Sequence, residues 1–376
     1  MRGLATVALL AYLLTALGLG FDRIADADPR LANLVPGPAQ VGILEERADR
    51  FVEAGVPGSA LADAELLVRR DPVSLHGTGL LGAARLGRGD QRGADAAFRI
   101  AARLGWRDAR TQLYWLRLAL ARQDHARAAL HYAALARQWP DAPAIINISA
   151  LFEATAAGRS ALASRIAAGD SWALAYAAPP EGSSPQAVLN HAKVLGEAAG
   201  LGRILGCETI APLARSLVPI DPAEALRVWR AHCPDEGFGG LLHDGDFRAA
   251  RPDASLGPFA WEFAADGAFD LRLEPEGAAA RSVVTRNDGA ILRAFAAQRV
   301  VLGQGGYRVW LKQGSSASLL FASLSCGRDR LAAQPVALTG MSANLEFPGG
   351  CPAPWFQLWL APRGQAQVTG LRLDRL

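Results

Sequence analysis

The order of apolar and polar residues divides the chain into three parts. Gly3–Phe21 carries no charge, and as a helix it would be about 28 Å long, close to the thickness of a bilayer core. From Val41 to about His232, apolar residues recur at helical spacing, and after Gly237 short alternating runs are broken by glycine and proline. This pattern predicts a multidomain chain, α then β: an N-terminal transmembrane helix, a helical region and a C-terminal antiparallel β-sandwich.

The charges around the first apolar run indicate an orientation. Arg2 precedes the run and Asp22 follows it. Because basic residues stay on the cytoplasmic side, we predict a single-pass signal anchor at residues 1–23 of a bacterial inner membrane, a linker at 24–40 and a periplasmic remainder. The alternative is a signal peptide cleaved after Ala16-Leu17-Gly18, which would release the protein into the periplasm.

A period of 34 residues runs through the first half of the helical region. Three blocks align without a gap, at 41–74, 75–108 and 109–142. Small residues recur at two positions of the blocks, where the two helices of a hairpin would touch: Ala48 and Gly82 at position 8, and Ala60, Ala94 and Ala128 at position 20. Position 24 varies in size, with Ala64, Phe98 and Tyr132. Each block therefore predicts one helical hairpin, and 143–176 predicts a degenerate fourth.

This period and these small residues resemble tetratricopeptide repeats. The resemblance implies an α-solenoid at 41–176, which binds a partner protein in a groove lined by positions 2, 5, 9, 12 and 13 of each block. One end of that groove would be acidic and the other basic. The groove residues that we expect to contact a partner are Glu45, Asp49, Glu53, His76, Leu86, Arg110, Leu113 and Arg117.

Further helices and a linker are predicted at 177–236. Gln186–Leu205 has helical spacing. Asp221-Pro222 combines a helix N-cap residue with proline at the first helical position, so a helix is expected from there to about His232.

The region 237–376 contains short runs that predict strands of the antiparallel sandwich. They are Phe259–Phe263, Tyr307–Lys312, Leu319–Ser325, Trp355–Ala361 and Val368–Leu373. We expect a turn at Gln313-Gly314-Ser315, and we expect Trp310 to lie in the core.

Two short segments resemble galactose-binding-like jelly rolls, a group that includes many carbohydrate-binding modules. Leu241–Phe247 resembles the start of such domains, and Gly305–Val309 resembles one of their strands. Arg248 stands where these domains often have an acid, which argues against a structural calcium ion. The resemblance implies a glycan-binding surface, and Trp355 and Trp359, two pleats apart, are the candidate stacking residues. The alternative is that these indoles fill the core.

Four cysteines lie too far apart for a CxxC motif, at positions 207, 233, 326 and 351. An even number in an exported chain suggests disulfides. Pairing within each domain would give Cys207–Cys233 and Cys326–Cys351, and the alternative is four buried free thiols.

Composition excludes several classes of function. The net charge is only +3, with 20% charged residues, so the chain lacks the basic field of a nucleic-acid-binding protein. Lys193 and Lys312 are the only lysines, and the abundance of arginine, alanine and glycine is typical of a high-GC bacterial genome. No P-loop, HExxH or GxSxG motif is present. We therefore expect no catalytic residues, no metal and no cofactor.

The alternative function is a glycan-processing enzyme on the sandwich, which would need two facing carboxylates. The available acids, whose spacing names no pair, are Glu262, Asp266, Asp270, Glu274 and Glu346. A dense polar group at His243, Asp244 and Asp246 is interpreted as a turn, because Asp-Gly favours turns.

As a whole, the chain is similar to membrane-anchored tetratricopeptide proteins of alphaproteobacteria, particularly sphingomonads. Gly105–Asp108 and Thr111–Trp115 carry this comparison. It implies a role in cell-surface polysaccharide production or export. We expect a non-catalytic periplasmic scaffold whose repeats bind a protein partner, whose sandwich binds a glycan or a second protein, and whose N-terminal helix binds the membrane, with no nucleic-acid partner.

Overall fold

A computed structural model shows helices first and strands afterwards, as predicted. The chain forms two compact units, Met1–Ser149 and Ala150–Leu376, which are described separately. The residues that the structure describes are 2–27, 35–36, 39–234, 239–251, 256–264, 267, 269–276, 280–315, 319–328 and 333–376.

The helices of the first unit begin at regular intervals. They are α1 (Arg2–Ala27), α2 (Val41–Glu53), α3 (Pro57–Arg70), α4 (Leu75–Gly87), α5 (Gln91–Leu104), α6 (Ala109–Ala121), α7 (His125–Ala136) and α8 (Pro143–Glu153), whose sequence runs into the second unit. The first helix of each hairpin begins at 41, 75 and 109, and the second begins at 57, 91 and 125. The predicted 34-residue period of helical hairpins is therefore confirmed.

Helix α1 contains the apolar run that was predicted to form a membrane anchor. Among the helices that the structure describes, none is both long enough and apolar enough to cross a bilayer. The predicted transmembrane helix is therefore not found.

Side-chain caps mark the starts of four of these helices, α4 to α7. In each of these four helices, the residue before the first turn has a side-chain oxygen that accepts a hydrogen bond, at 2.7–3.0 Å, from the backbone N–H three residues later. These capping residues are Ser74, Asp90, Asp108 and Asp124. Helix α2 differs, because Gln40 gives no side-chain cap. Instead, the carboxylate of Asp22 in α1 accepts hydrogen bonds from the N–H groups of Val41 and Gly42 at 3.1 and 2.6 Å.

Small residues let the two helices of each hairpin approach closely. Ala60, Ala94 and Ala128, the three residues at position 20, are fully buried. At position 8 of the second hairpin, a Cβ atom on Gly82 would come within 2.8 Å of the Phe98 ring. The aromatic residue at position 24 therefore occupies the space that glycine leaves open.

The second unit starts with a hairpin that departs from the period. Its helices are α9 (Ala156–Ala167), α10 (Ala173–Tyr176), α11 (Pro185–Gly200), α12 (Cys207–Leu217) and α13 (Pro222–His232). Helix α9 starts three residues before the position that the period predicts, and Ala150 at position 8 is exposed. Helix α13 matches its prediction, with Asp221 accepting a hydrogen bond from the Glu224 N–H at 3.0 Å. Helix α11 ends five residues before the predicted end.

Ten strands in the described part of the chain form two five-stranded antiparallel sheets. The strands are β1 (Glu262–Phe263), β2 (Phe269–Glu276), β3 (Ala280–Asn287), β4 (Arg293–Arg299), β5 (Gly305–Ser315), β6 (Leu320–Ser325), β7 (Val336–Ala337), β8 (Ser342–Phe347), β9 (Trp355–Leu360) and β10 (Gln365–Arg375). Sheet I has the order β1-β4-β9-β6-β7, and sheet II has the order β2-β3-β10-β5-β8.

The two sheets share one hydrophobic core, which is consistent with a β-sandwich. Alternate residues of several strands enter it, such as Phe356 and Leu358 from sheet I and Val309 and Leu371 from sheet II. The prediction that Trp310 lies in the core was wrong. Because it follows Val309 on the same strand, Trp310 points to the opposite face and is 39% exposed.

The predicted turn at residues 313–315 was also wrong. Strand β5 continues through these residues, because the long strand β10 pairs with all of them: Gln313 is opposite Thr369, and Ser315 is opposite Gln367. The run at Phe259–Phe263 forms a strand only at its end, in β1.

Trp229 of α13 joins the helices of the second unit to its sheets. Its side chain is fully buried, with its ring centroid 5.6 Å from that of His243 and 6.5 Å from that of Phe259. A Cβ atom on Gly257 would lie 2.2 Å from the indole, so only glycine fits there. The helices α9–α13 and the two sheets belong to one compact unit, and α13 packs against its β-rich part through Trp229.

Both predicted disulfides are present. Cys207–Cys233 links the start of α12 to the end of α13, with a Cα–Cα distance of 4.8 Å. Cys326–Cys351 links the residue after β6 to the segment before β9, with a Cα–Cα distance of 5.8 Å. The alternative of four free thiols is excluded.

We predict that the double variant Cys207→Ala/Cys233→Ala lowers the free energy of unfolding of the second unit by about 3 kcal/mol, because the unfolded chain regains the entropy of a loop of this size. Hydrogen exchange of peptides from α12 and α13 at increasing urea concentrations, read by mass spectrometry, measures this loss. Equal stability of the variant and the oxidised wild type would contradict it.

Candidate functional site

Charged residues from helices α2 and α6 meet on one face of the first unit. Arg110 of α6 forms an ion pair with Asp49 of α2. Burial lowers the pKa of the Arg110 guanidinium, and the negative charge of Glu45 opposes this effect. We call Glu45, Asp49, His76 and Arg110 the A-helix face, because they lie on the first helices of the three hairpins.

The middle hairpin makes room for this ion pair. Helix α4 contacts both α2 and α6. At the block positions where α2 carries Glu45 and Asp49, α4 carries Gly79 and Ala83. With no large side chain on the helix between them, Arg110 can reach Asp49 from two repeats away. The contact joins the predicted acidic and basic ends, so the two ends are not separate.

A buried carboxylate fixes the start of α6 beside this pair. Asp108 is fully buried and accepts hydrogen bonds from the N–H of Thr111 at 2.7 Å and from the hydroxyl of the same residue. Nδ1 of His76 lies 3.3 Å from the carboxylate, and half of the His76 side chain is exposed. A Cβ atom on Gly79 would lie 2.2 Å from Asp108 Oδ2. His76 thus lies at the surface against a buried carboxylate that is itself fixed by hydrogen bonds.

The other predicted groove residues take no part in the ion pair. Glu53, Leu86 and Arg117 are exposed, and Leu113 is half-buried. They lie on the same helices, where a partner could reach them.

A buried histidine in the third hairpin was missed by the sequence reading. His131 Nδ1 lies 2.8 Å from Gln112 Oε1, and its ring stacks on Trp106 at 5.2 Å between centroids. Burial, with a smaller contribution from the charge of Arg127, lowers the pKa of His131 to about 4. The residue is therefore neutral at physiological pH. The sequence alone does not show whether a histidine within a helical pattern is buried or exposed.

The two candidate stacking tryptophans are buried on the outer face of sheet I. Trp359 is 3% exposed and donates from Nε1 to Ser323 Oγ at 2.8 Å. Trp355 is 8% exposed, and the guanidinium carbons of Arg299 and Arg328 lie 4.3 and 3.6 Å from its ring centroid. A sugar platform needs an exposed aromatic face. Neither indole offers one, and neither belongs to the core between the sheets.

Four of the acids considered for glycan hydrolysis lie on three strands. Glu262 is on β1 of sheet I, whereas Asp270 and Glu274 on β2 and Glu346 on β8 are at opposite edges of sheet II. On one strand, Asp270 and Glu274 are about 13 Å apart, which exceeds the separation of a glycosidase pair. Asp266 lies outside the described residues.

The polar group at 243–246 forms a turn, as interpreted from Asp-Gly. The Asp244 carboxylate accepts hydrogen bonds from the N–H groups of Arg248 at 2.7 Å and Ala249 at 3.0 Å, and its carbonyl accepts one from Trp261 Nε1 at 2.8 Å. Its φ of 54° is the left-handed conformation that aspartate tolerates. Within the described residues, no group of histidine, cysteine, aspartate or glutamate is arranged to hold a metal ion.

Comparisons with known proteins give little further information. No family model and no curated protein sequence matches the chain. Over 30% of its length, the chain is similar to a chain in a crystal structure of accessory secretory proteins 1, 2 and 3 of Streptococcus pneumoniae, covering 88% of that chain at 8% identity with a TM-score of 0.23. It also matches 41% of a chain of the glycosylation associate protein (Gap123) complex from Streptococcus agalactiae, at 15% identity, 30% coverage and a TM-score of 0.23. Likeness at this level carries no argument about fold or function.

We predict that Gly79→Ala destabilises the first unit by about 1–3 kcal/mol, because the new methyl group would displace the buried Asp108 carboxylate that caps α6. Hydrogen exchange of peptides from α4 and α6, read by mass spectrometry, measures the loss. Gly58→Ala is the matched control, because a Cβ atom at Gly58 of α3 meets nothing within 4 Å. If both variants exchange like the wild type, the space at Gly79 is not required.

We predict that acid destabilises the first unit through His131. Its pKa is about 4 in the folded protein and about 6.5 in the unfolded chain, so between these values the unfolded chain binds the additional proton. The stabilisation is complete above about pH 6.5 and is lost as the pH falls towards 4. Between about pH 7.5 and 4.5, urea unfolding should show that the wild type loses about 2 kcal/mol more than His131→Gln. Parallel losses in both proteins would exclude His131 as the cause.

Proposed function

We propose that this protein is a non-catalytic scaffold that binds a partner protein at the A-helix face of its first unit. The observation that carries the proposal is the ion pair between Arg110 and Asp49, which brings together charges from the first and third hairpins. Both side chains are partly exposed. The ion pair holds both side chains in place before a partner binds, so binding costs little additional side-chain entropy. A fixed charge pattern of this kind favours specificity in protein association.

The family assignments belong to this proposal. The hairpins are proposed to be tetratricopeptide repeats that form a solenoid, supported by the 34-residue period and the buried alanines at position 20. The sandwich is proposed to be of the galactose-binding-like jelly-roll type, supported by its two antiparallel sheets and the turn that begins it. A polysaccharide-related role remains part of this proposal.

The two disulfides support a location in an oxidising compartment. Both bridges close loops of about 25 residues, and such bonds persist outside the reducing cytosol. For a bacterial chain, we propose the periplasm as the place where the scaffold acts.

Site-specific photocrosslinking tests the A-helix face. A benzophenone amino acid in place of the half-exposed His76, or of the exposed Arg117, should capture the partner in intact cells. The same group in place of Arg103 is the control, because Arg103 is an exposed residue on α5, the second helix of a hairpin. Equal capture from all three positions would contradict a specific face.

The charge pattern can be separated from stability by exchanging the two partners. The double variant Asp49→Arg/Arg110→Asp keeps an ion pair but reverses its direction, so we expect the fold to persist and the partner yield from position 76 to fall at least tenfold, about 1.4 kcal/mol. Unchanged capture by a folded exchange variant would show that these charges do not determine binding.

A further inference from the structure

A second site lies in the second unit, where the end of α12 meets the outer face of sheet I. It is a pocket of about 870 Å³, within the size range of small-molecule sites. Its lining includes Arg215 at the end of α12, Glu262 on β1, Arg299 on β4 and Arg328 after β6, with Trp355 on β9. The pocket is built entirely from one compact unit.

The charges that line this pocket do not balance. Three arginines face one carboxylate, and Glu262 is already paired with Arg328. Arg215 has no ion-pair partner among the described residues. Burial lowers the pKa of the Arg299 guanidinium, and the neighbouring positive charge of Arg328 lowers it further. The negative charge of Glu262 offsets part of this effect, and with three guanidinium groups and one carboxylate the lining keeps an excess of positive charge.

The arginines are fixed before any ligand arrives. The guanidinium groups of Arg299 and Arg328 both lie against the indole of Trp355. The carbonyl of Arg328 accepts a hydrogen bond from Gln357 Nε2 at 3.1 Å, and Arg299 Nη1 donates to the carbonyl of Ala353 at 3.5 Å. Arginine side chains that are ordered in this way lose little entropy on binding an anion.

The Cys326–Cys351 bridge supports the same site. Cys351 lines the pocket, and Cys326 lies two residues before Arg328. The bridge therefore restrains the backbone that carries one of the two stacked arginines.

We propose that this pocket binds a small anion that carries several carboxylate or phosphate groups. The planar fork of arginine matches both oxyanions with two parallel hydrogen bonds, and the volume exceeds that of a single inorganic ion. A neutral sugar does not suit the pocket, because both arginines cover the indole on which it would stack. The site is independent of the A-helix face, so either proposal can fail alone.

Isothermal titration of the full oxidised protein tests this assignment with citrate, pyrophosphate and neutral maltotriose as separate probes. We expect at least one of the two anions to bind, maltotriose not to bind, and binding to weaken with added sodium chloride. Citrate binding alone would assign a carboxylate ligand, and pyrophosphate binding alone a phosphate ligand. Absence of binding by both anions up to about millimolar concentrations, or binding that salt does not weaken, would overturn the proposal.

Matched variants locate the binding. Arg215→Gln should weaken the anion about tenfold without affecting the fold, because Arg215 is exposed and makes no described ion pair. Arg299→Gln should weaken it further, and its circular dichroism shows whether it remains folded. Arg230→Gln, an exposed arginine of α13 that does not line the pocket, is the control and should bind as the wild type does. Equal affinities for Arg215→Gln and Arg230→Gln would place the anion elsewhere and overturn the proposal.

Discussion

The fold of both units depends on a few glycines, each of which leaves space for a large buried group. Gly82 leaves space for the Phe98 ring, Gly79 for the Asp108 carboxylate, and Gly257 for the indole of Trp229. In each case a Cβ atom would overlap a buried group, and protein interiors do not accommodate such an overlap without a shift of the backbone. These glycines therefore determine which large residue becomes the centre of the local packing.

The two proposed binding regions use charge in opposite ways. On the A-helix face, Arg110 is already neutralised by Asp49, so a partner would have to compete for an existing pair and gains specificity from its geometry. In the pocket of the second unit, three arginines share one carboxylate, so a ligand would add the negative charge that the lining lacks. A protein can in this way hold one surface for a selective protein contact and another for a small anion.

The sequence predicted the periodic parts of this structure well. Helix starts at 41, 75 and 109 follow from a repeat that the packing of Ala60, Ala94 and Ala128 enforces. The prediction failed where pairing with a distant strand overrides the local sequence preference. Gly314 is typical of a turn, but pairing with β10 keeps it in a strand. Strands β2, β3, β4, β7 and β8 were not recognised, although β2 alternates regularly between apolar and charged residues from Phe269 to Glu274.

The site residues were harder to predict than the fold. The A-helix face could be listed from repeat positions, but the contact between Arg110 and Asp49 depends on the small residues of α4 between them. The anion pocket could not be read from the sequence at all. Arg215, Glu262 and Arg328 are separated by dozens of residues, and only the sheet order brings β1, β4 and β9 together.

The cap that Asp22 provides for α2 makes two helices cooperative. Because the first N–H groups of α2 are satisfied by a side chain from α1, any opening of α1 near that residue leaves donors of Val41 and Gly42 without their acceptor. The local stability of the first hairpin is then bounded by that of the helix before it. Opening of α1 around Asp22 would thus spread into the A-helix face, where Glu45 lies one turn beyond the cap.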